Sequence, residues 1–141
     1  MIRGLIAGKF DPPHEGHLDH AVKASSWCDF LITIVQSDEG VRAVKGKCEV
    51  PFYARAAYMQ GLLLYYGIKG DVFMGLDADG LSVKSLKHFL AAGDRFIKGG
   101  DRTVNNMPLE ELNVCKSLGI EIVYGVGDLL NASSKIKIME E

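Results

Sequence analysis

Two histidines three positions apart, His14 and His17, bracket Gly16 within the stretch GKFDPPHEGHLDHA at residues 8–21. An apolar run, Ile2 to Ala7, precedes it and a helical pattern follows it. These residues therefore stand where a strand ends and a helix begins. The open N–H groups of a helix start favour an anion, and imidazoles beside them donate to phosphate oxygens. Gly8 permits a tight exit from the strand, and Gly16 lets the backbone approach a ligand closely. Pro12 and Pro13 stiffen the loop by fixing φ. The chemistry implied is a compact triphosphate site. His20, one turn further on, reads as a surface or packing residue.

Three later segments could join that site. KGKCEVPFYAR, residues 45–55, carries Lys45 and Lys47; a flexible lysine follows negative charge as it moves onto a leaving group. The bland alternative is a solvated basic loop. RFIKGGDR, residues 95–102, places Lys98, Gly99, Gly100 and Asp101 after an apolar strand. There Lys98 can pair with phosphate and Asp101 can accept from sugar hydroxyls, although alone the turn only closes a strand. NASSK, residues 131–135, sets Ser133 and Ser134 where a last helix should start. Their hydroxyls and free N–H groups suit phosphate, or a simple helix cap.

The elements that must position these residues alternate. Strands are predicted at Ile2 to Ala7, at FLITIVQ (30–36), at Asp71 to Met74, at DRFIKGG (94–100, ending in its turn) and at EIVYGVG (121–127). Helices are predicted from Gly16 to Cys28, over FYARAAYMQGLLLYY (52–66, with Pro51 in the first turn and Gly67 as cap), over LSVKSLKHFLAAG (81–93), from Pro108 to Gly119, and over ASSKIKIMEE (132–141). SDEGVRAVKGKCEVP, residues 37–51, reads as a long polar connection. Its glycines and charges predict a lid around Val44 to Val50, mobile when empty and ordered over a nucleotide. Strand–helix alternation implies a Rossmann-like, doubly wound parallel sheet in one domain spanning 1–141. Ligands of such sheets bind beyond the carboxyl ends of the strands, where the 9–17 loop, the 98–102 turn and the 131–135 turn should converge.

Bulk properties exclude several classes. The chain has 141 residues, 48% hydrophobic and 24% charged, with net charge −2. Such a chain buries a core without staples and presents no global positive field for nucleic acid or anionic membranes. Cys28, Cys48 and Cys115 are widely spaced, which suits buried thiols in a reducing compartment rather than disulfides or zinc. The N-terminal apolar run is too short for a signal peptide or membrane span, so a cytoplasmic protein is expected.

Gly8, Phe10, Asp11, His14, Gly16 and His17 form G-x-F-D-x-x-H-x-G-H, which resembles the signature of the cytidylyltransferase-like nucleotidyltransferases. Lys45, Gly46, Pro51 and Arg55 resemble the family's basic loop before its second helix. K-G-G-D looks most like the turn of heptose 1-phosphate adenylyltransferases, with glycerol 3-phosphate cytidylyltransferases similar. Of S-[ST]-[ST]-x-[IV], Ser133, Ser134 and Ile136 match, while Ala132 replaces the first serine and leaves one hydroxyl missing. The resemblance spans residues 8–136. It implies catalytic roles for His14, His17 and Lys45. It implies nucleotide contacts for Gly8, Lys9, Phe10, Asp11, Gly16, Lys47, Arg55, Lys98, Gly99, Gly100, Asp101, Ser133 and Ser134. The expected reaction joins ATP or CTP to a sugar or polyol phosphate, as in ADP-heptose synthesis. Alternatives are a glycerol 3-phosphate cytidylyltransferase, a nicotinamide, nicotinate or flavin mononucleotide adenylyltransferase, and a non-catalytic nucleotide-binding regulator. Mg²⁺ is expected with the triphosphate, with no dedicated metal ligands from the protein. A homodimer is expected by the same resemblance.

Overall fold

The computed structural model describes residues 1–127; the expected 131–135 turn, with Ser133 and Ser134, and the terminal helix lie outside the described residues. Within them the chain runs β1 (Arg3–Gly8), α1 (Glu15–Ala24), β2 (Phe30–Val35), α2 (Asp38–Lys45), α3 (Phe52–Tyr65), β3 (Gly70–Met74), α4 (Val83–Phe89), β4 (Arg95–Ile97), α5 (Leu109–Leu118) and β5 (Glu121–Val123). The five strands form one parallel sheet in the order β3-β2-β1-β4-β5. β1 is central, with Gly8 opposite Val35 on one side and Gly4 opposite Arg95 on the other.

Period-two alternation sorts the strand residues onto two faces. Ile6, Leu31, Val35 and Ile97 pack with Ala21, Ala24, Met59, Leu62 and Leu63 of α1 and α3. Leu5, Ile32, Ile34 and Phe96 pack with Leu86, Val114 and Cys115 of α4 and α5. A sheet covered on both faces explains why FLITIV is apolar at nearly every position. The doubly wound reading of the sequence is thus the observed architecture.

The 37–51 segment is more ordered than the sequence reading held. Its first half is helix α2. Ser37 caps it by accepting from the Gly40 N–H, Asp38 and Glu39 occupy the first turn, and Arg42 and Lys45 the last. Gly46 ends it in the left-handed region at φ 86°. The start and stop signals are all present, but only Val41 is buried hydrophobic surface, so apolar periodicity was too thin to reveal it. Other helices are shorter than expected. α1 stops at Ala24 and gives way to a 3₁₀ turn at Ser25–Trp27. α4 covers Val83–Phe89; its starting amides at Lys84 and Ser85 donate to the Asp77 carboxylate rather than to a neighbouring cap. Pro51 is the N-cap of α3, one position before its first turn.

One buried side chain joins the segments at the ligand edge. Arg55 of α3 is 0% exposed. Its guanidinium donates to the carbonyls of Lys9 (2.8 Å), Gln36 (2.7 Å) and Val50 (2.7 Å) and to the Asp38 carboxylate (2.6 Å). These acceptors follow β1, follow β2, precede α3 and open α2. The Arg55→Ala variant strands all four and should lose about 3–5 kcal/mol of folding stability. Urea unfolding checks this; a loss below about 1 kcal/mol would refute the central role.

Candidate active site

A cavity of about 300 Å³ opens at the carboxyl ends of β1 and β4. Its lining includes Gly8, Lys9, Phe10, Asp11, His14 and His17 from the first loop, and Lys98, Gly99 and Asp101 from the turn after β4. Two of the three segments expected to converge therefore do so. The turn is pinned from behind, where the Gly125 and Val126 amides donate to the carbonyls of Gly99 and Lys98.

The first loop is shaped by a buried ring. Phe10 is 2% exposed and sits at φ 51°, a conformation that side chains other than glycine seldom adopt. Its ring packs so closely over Gly8 that a Cβ there would meet it at 3.1 Å. It meets His17 edge-on at 4.7 Å between centroids. Glycine at position 8 and burial of Phe10 together turn the chain sharply out of β1 and aim the next residues at the cavity.

The histidines form a reciprocal cap on α1. The Gly16 N–H donates to His14 Nδ1 (3.1 Å) and the His14 N–H donates to His17 Nδ1 (3.1 Å). A ring nitrogen that accepts carries no proton, so each neutral imidazole holds its proton on Nε2. The two rings stack at 3.7 Å, 20° from parallel. His17 is held far from protonation: burial, then the nearby charges of His14, His20 and Lys9, push its pKa down to about 3. At neutral pH it is a neutral N–H donor of fixed tautomer.

Asp11, which lines the cavity, is paired with Lys45, which does not line it. The Asp11 side chain is fully buried and accepts from the amides of Glu49 and Val50. Lys45 donates to the Asp11 carboxylate (3.2 Å) and carbonyl (2.6 Å). Burial alone would raise the Asp11 carboxyl; the two amides and the Lys45 ammonium outweigh it and hold the carboxyl below its usual value. The 45–50 segment is thus folded down onto Asp11. Arg55, for which a nucleotide contact was expected, points inward onto the carbonyls described above. Gly16 and Gly100 stand beside the cavity without lining it. Lys47 is exposed and lines neither this cavity nor the next.

The sequence reading passed over several lining residues. His20 is buried, forms a 2.6 Å hydrogen bond between Nδ1 and the Val126 carbonyl, and lines the cavity floor. Its position three residues after His17 placed it on the same helix face, a usable signal. Arg102 lines the cavity beside Lys98; it directly follows K-G-G-D. A second cavity of about 250 Å³ adjoins the first across Ala7, Gly8, Lys9, Lys98 and Arg102, and adds Gln36, Ser82 and Glu111 among others. Nothing local in the sequence marks these last three. Among the described residues no three His, Cys, Asp or Glu side chains are grouped to hold a metal.

The His17 shift carries a pH dependence. The unfolded imidazole takes a proton near 6.5, the folded one near 3. Between those values the unfolded chain binds more protons, so stability falls as pH drops through that window. From pH 7 to pH 5 this should cost about 1 kcal/mol after discounting for partial exposure. His17→Gln, which can still accept from His14, should lose that share of the pH dependence. Urea unfolding of both proteins at both pH values is the check, and identical pH dependence would refute the assignment.

The profile of the cytidylyltransferase-like family matches residues 5–123. No curated protein sequence matches significantly. Among solved structures, the lipopolysaccharide core biosynthesis protein of Thermoplasma volcanium superposes with TM-score 0.69 at 23% identity, over 90% of this chain and 98% of that one. The bifunctional NMN adenylyltransferase/ADP ribose pyrophosphatase of Francisella tularensis gives TM-score 0.63 at 12% identity, over 89% of this chain and 38% of that longer one. Such distant likenesses speak to the fold, which they share; the family match covers the loop, both histidines and the K-G-G-D turn. On that match, this chain belongs to the cytidylyltransferase-like family of nucleotidyltransferases.

Proposed function

We propose that this protein joins an NTP, ATP ahead of CTP, to a sugar or polyol phosphate and releases pyrophosphate, as in ADP-heptose synthesis. The observation that carries this reading is the pair of adjoining cavities with a shared wall of Lys9, Lys98 and Arg102. Two anions brought to one cationic wall are placed for transfer between them. In the proposed arrangement the triphosphate lies in the first cavity, against His14, His17 and the start of α1. The acceptor enters from the second.

An acceptor phosphate oxygen attacks the α-phosphorus in line. The bond from that phosphorus to the bridging oxygen breaks, and pyrophosphate leaves with the electron pair. No covalent intermediate is required; catalysis is positioning and charge stabilisation. The Nε2–H groups of His14 and His17 donate to oxygens where charge develops. Lys45, released from Asp11, and Lys47 follow the outgoing pyrophosphate. Mg²⁺ bound with the triphosphate would neutralise its charge; Asp11, whose carboxylate accepts from Lys45 and from the Glu49 and Val50 amides, would brace the loop, and among the described residues no three His, Cys, Asp or Glu side chains are grouped to hold the ion. The working form is a cytoplasmic homodimer. A mononucleotide acceptor fits less well, because among the described residues no aromatic side chain lines the second cavity to stack a base.

His14→Asn, which preserves a capable cap, and His17→Gln should each lower kcat on the order of 10²-fold with little change in acceptor KM. Near-normal turnover in both would remove the assigned site. Pyrophosphate release measured with ATP and CTP against heptose 1-phosphate, glycerol 3-phosphate, nicotinamide mononucleotide and phosphoethanolamine tests the acceptor class; a clear winner outside the sugar and polyol phosphates would refute it. Nucleotide should also protect the 44–50 segment from limited proteolysis, and equal cleavage with and without it would remove the lid role of Lys45 and Lys47.

A further inference from the structure

Helix α5 opens with two acids, and they have different fates. Glu110 is exposed, while Glu111 is 4% exposed and lines the second cavity. A carboxylate so nearly buried is costly unless partnered. Glu111 accepts from the Ser82 N–H at 2.9 Å, a buried bond that ties the start of α4 to the start of α5. That bond fixes the carboxylate in place and uses one of roughly four acceptor positions on an ionised carboxyl group. Burial pushes the Glu111 pKa up, and the charges of Lys98 and Arg102 with the Ser82 amide pull it partly back. The group is therefore a desolvated acceptor at the wall of a cavity, with two cations close by.

We propose that Glu111 is the specificity-determining residue of the acceptor side, accepting hydrogen bonds from hydroxyl groups of the phosphorylated acceptor in the second cavity. The proposal rests on the nucleotidyltransferase reading above and narrows its acceptor. An acceptor phosphate at the shared wall of Lys9, Lys98 and Arg102 leaves the rest of a small molecule facing Gln36, Ser82 and Glu111. A cavity of about 250 Å³ suits a molecule of a few carbons better than a nucleoside. A quaternary ammonium would want an aromatic cage, and among the described residues the lining holds no aromatic side chain. Among the described lining residues a primary ammonium would meet three cations, Lys9, Lys98 and Arg102, against one carboxylate. Hydroxyl groups satisfy the carboxylate without adding positive charge. An acceptor lacking them leaves the remaining acceptor positions of a nearly buried carboxylate without a ligand donor, and a polar site rejects such an analogue strongly.

Glu111→Gln is the informative variant, because its amide oxygen can still accept from Ser82 while the negative charge is gone. Glycerol 3-phosphate and n-propyl phosphate, which has the same carbon chain and no free hydroxyl, are titrated calorimetrically into the wild-type protein and the variant. The wild type should bind glycerol 3-phosphate at least about 10-fold more tightly, the worth of one charge-assisted hydrogen bond. In Glu111→Gln the two affinities should come within about threefold. In pyrophosphate release, the variant should show a raised KM for the hydroxylated acceptor with kcat largely kept. Equal affinities in the wild type, or an unchanged ratio in the variant, would overturn the proposal. A wild-type preference for glycerol 3-phosphate that collapses in Glu111→Gln, with no pyrophosphate from any acceptor, would instead overturn the reaction and leave the role of Glu111 in binding standing. Equal urea midpoints of the two proteins show that the fold is intact.

Discussion

The ligand edge of this sheet is held by a charge that never touches water. A guanidinium has five N–H donors in a rigid plane and cannot give up its proton. Buried, it must find acceptors, and at Arg55 it finds three main-chain carbonyls and one carboxylate. Strand ends in a parallel sheet leave carbonyls at the edge where the chain turns away, and these are costly to bury unpaired. Arg55 resolves both demands at once. It fixes the exits of β1 and β2 relative to the start of α3, and through Val50 and Asp38 it reaches the 45–50 segment that Asp11 also grips. Lysine would not substitute, since one ammonium cannot reach four acceptors in a plane.

From that brace the site follows by local rules. Phe10 is forced into a left-handed turn because its ring fills the space over Gly8. The turn delivers His14 to the start of α1, where imidazole nitrogens replace the hydroxyl or carboxylate that usually caps a helix. Capping also fixes which nitrogen carries the proton. Helix stability and donor placement are thus the same pair of hydrogen bonds, and a capping substitution tests structure and chemistry together unless its replacement can also cap.

Much of this was legible in the sequence because the relevant signals are local. FLITIV declared a strand covered on both sides. Gly8, Gly16 and the histidine spacing declared a strand-to-helix loop, and the structure has one there with both histidines lining a cavity. K-G-G-D declared a turn at the same edge. What stayed hidden depends on long-range packing. Helix α2 hides a single buried valine among polar residues, so its caps were the stronger evidence and its hydrophobic pattern the weaker. Arg55 was expected at the nucleotide because a motif records that a cation is needed, not which way it points. Glu111 had no reading of its own, because its burial and its bond from the Ser82 N–H come from packing between α4 and α5.

The central place of β1 sets the order in which the molecule can be completed. The first strand pairs with β2 within the next few tens of residues, but its other edge waits for Arg95 and Phe96. Asp94, just ahead of β4, accepts from the backbone and guanidinium of Arg3, so the same closure also ties down the N-terminus. On a ribosome, where synthesis runs from the N-terminus, the first two-thirds of the chain therefore carries an apolar strand with one unpaired edge, and such edges invite pairing with other chains. Parallel closure over that distance is slow. The cavity does not exist until it happens, because one wall comes from the loop after β1 and the other from the turn after β4. A nascent chain cannot bind nucleotide to stabilise itself early; ligand can rescue only a molecule whose sheet has already closed.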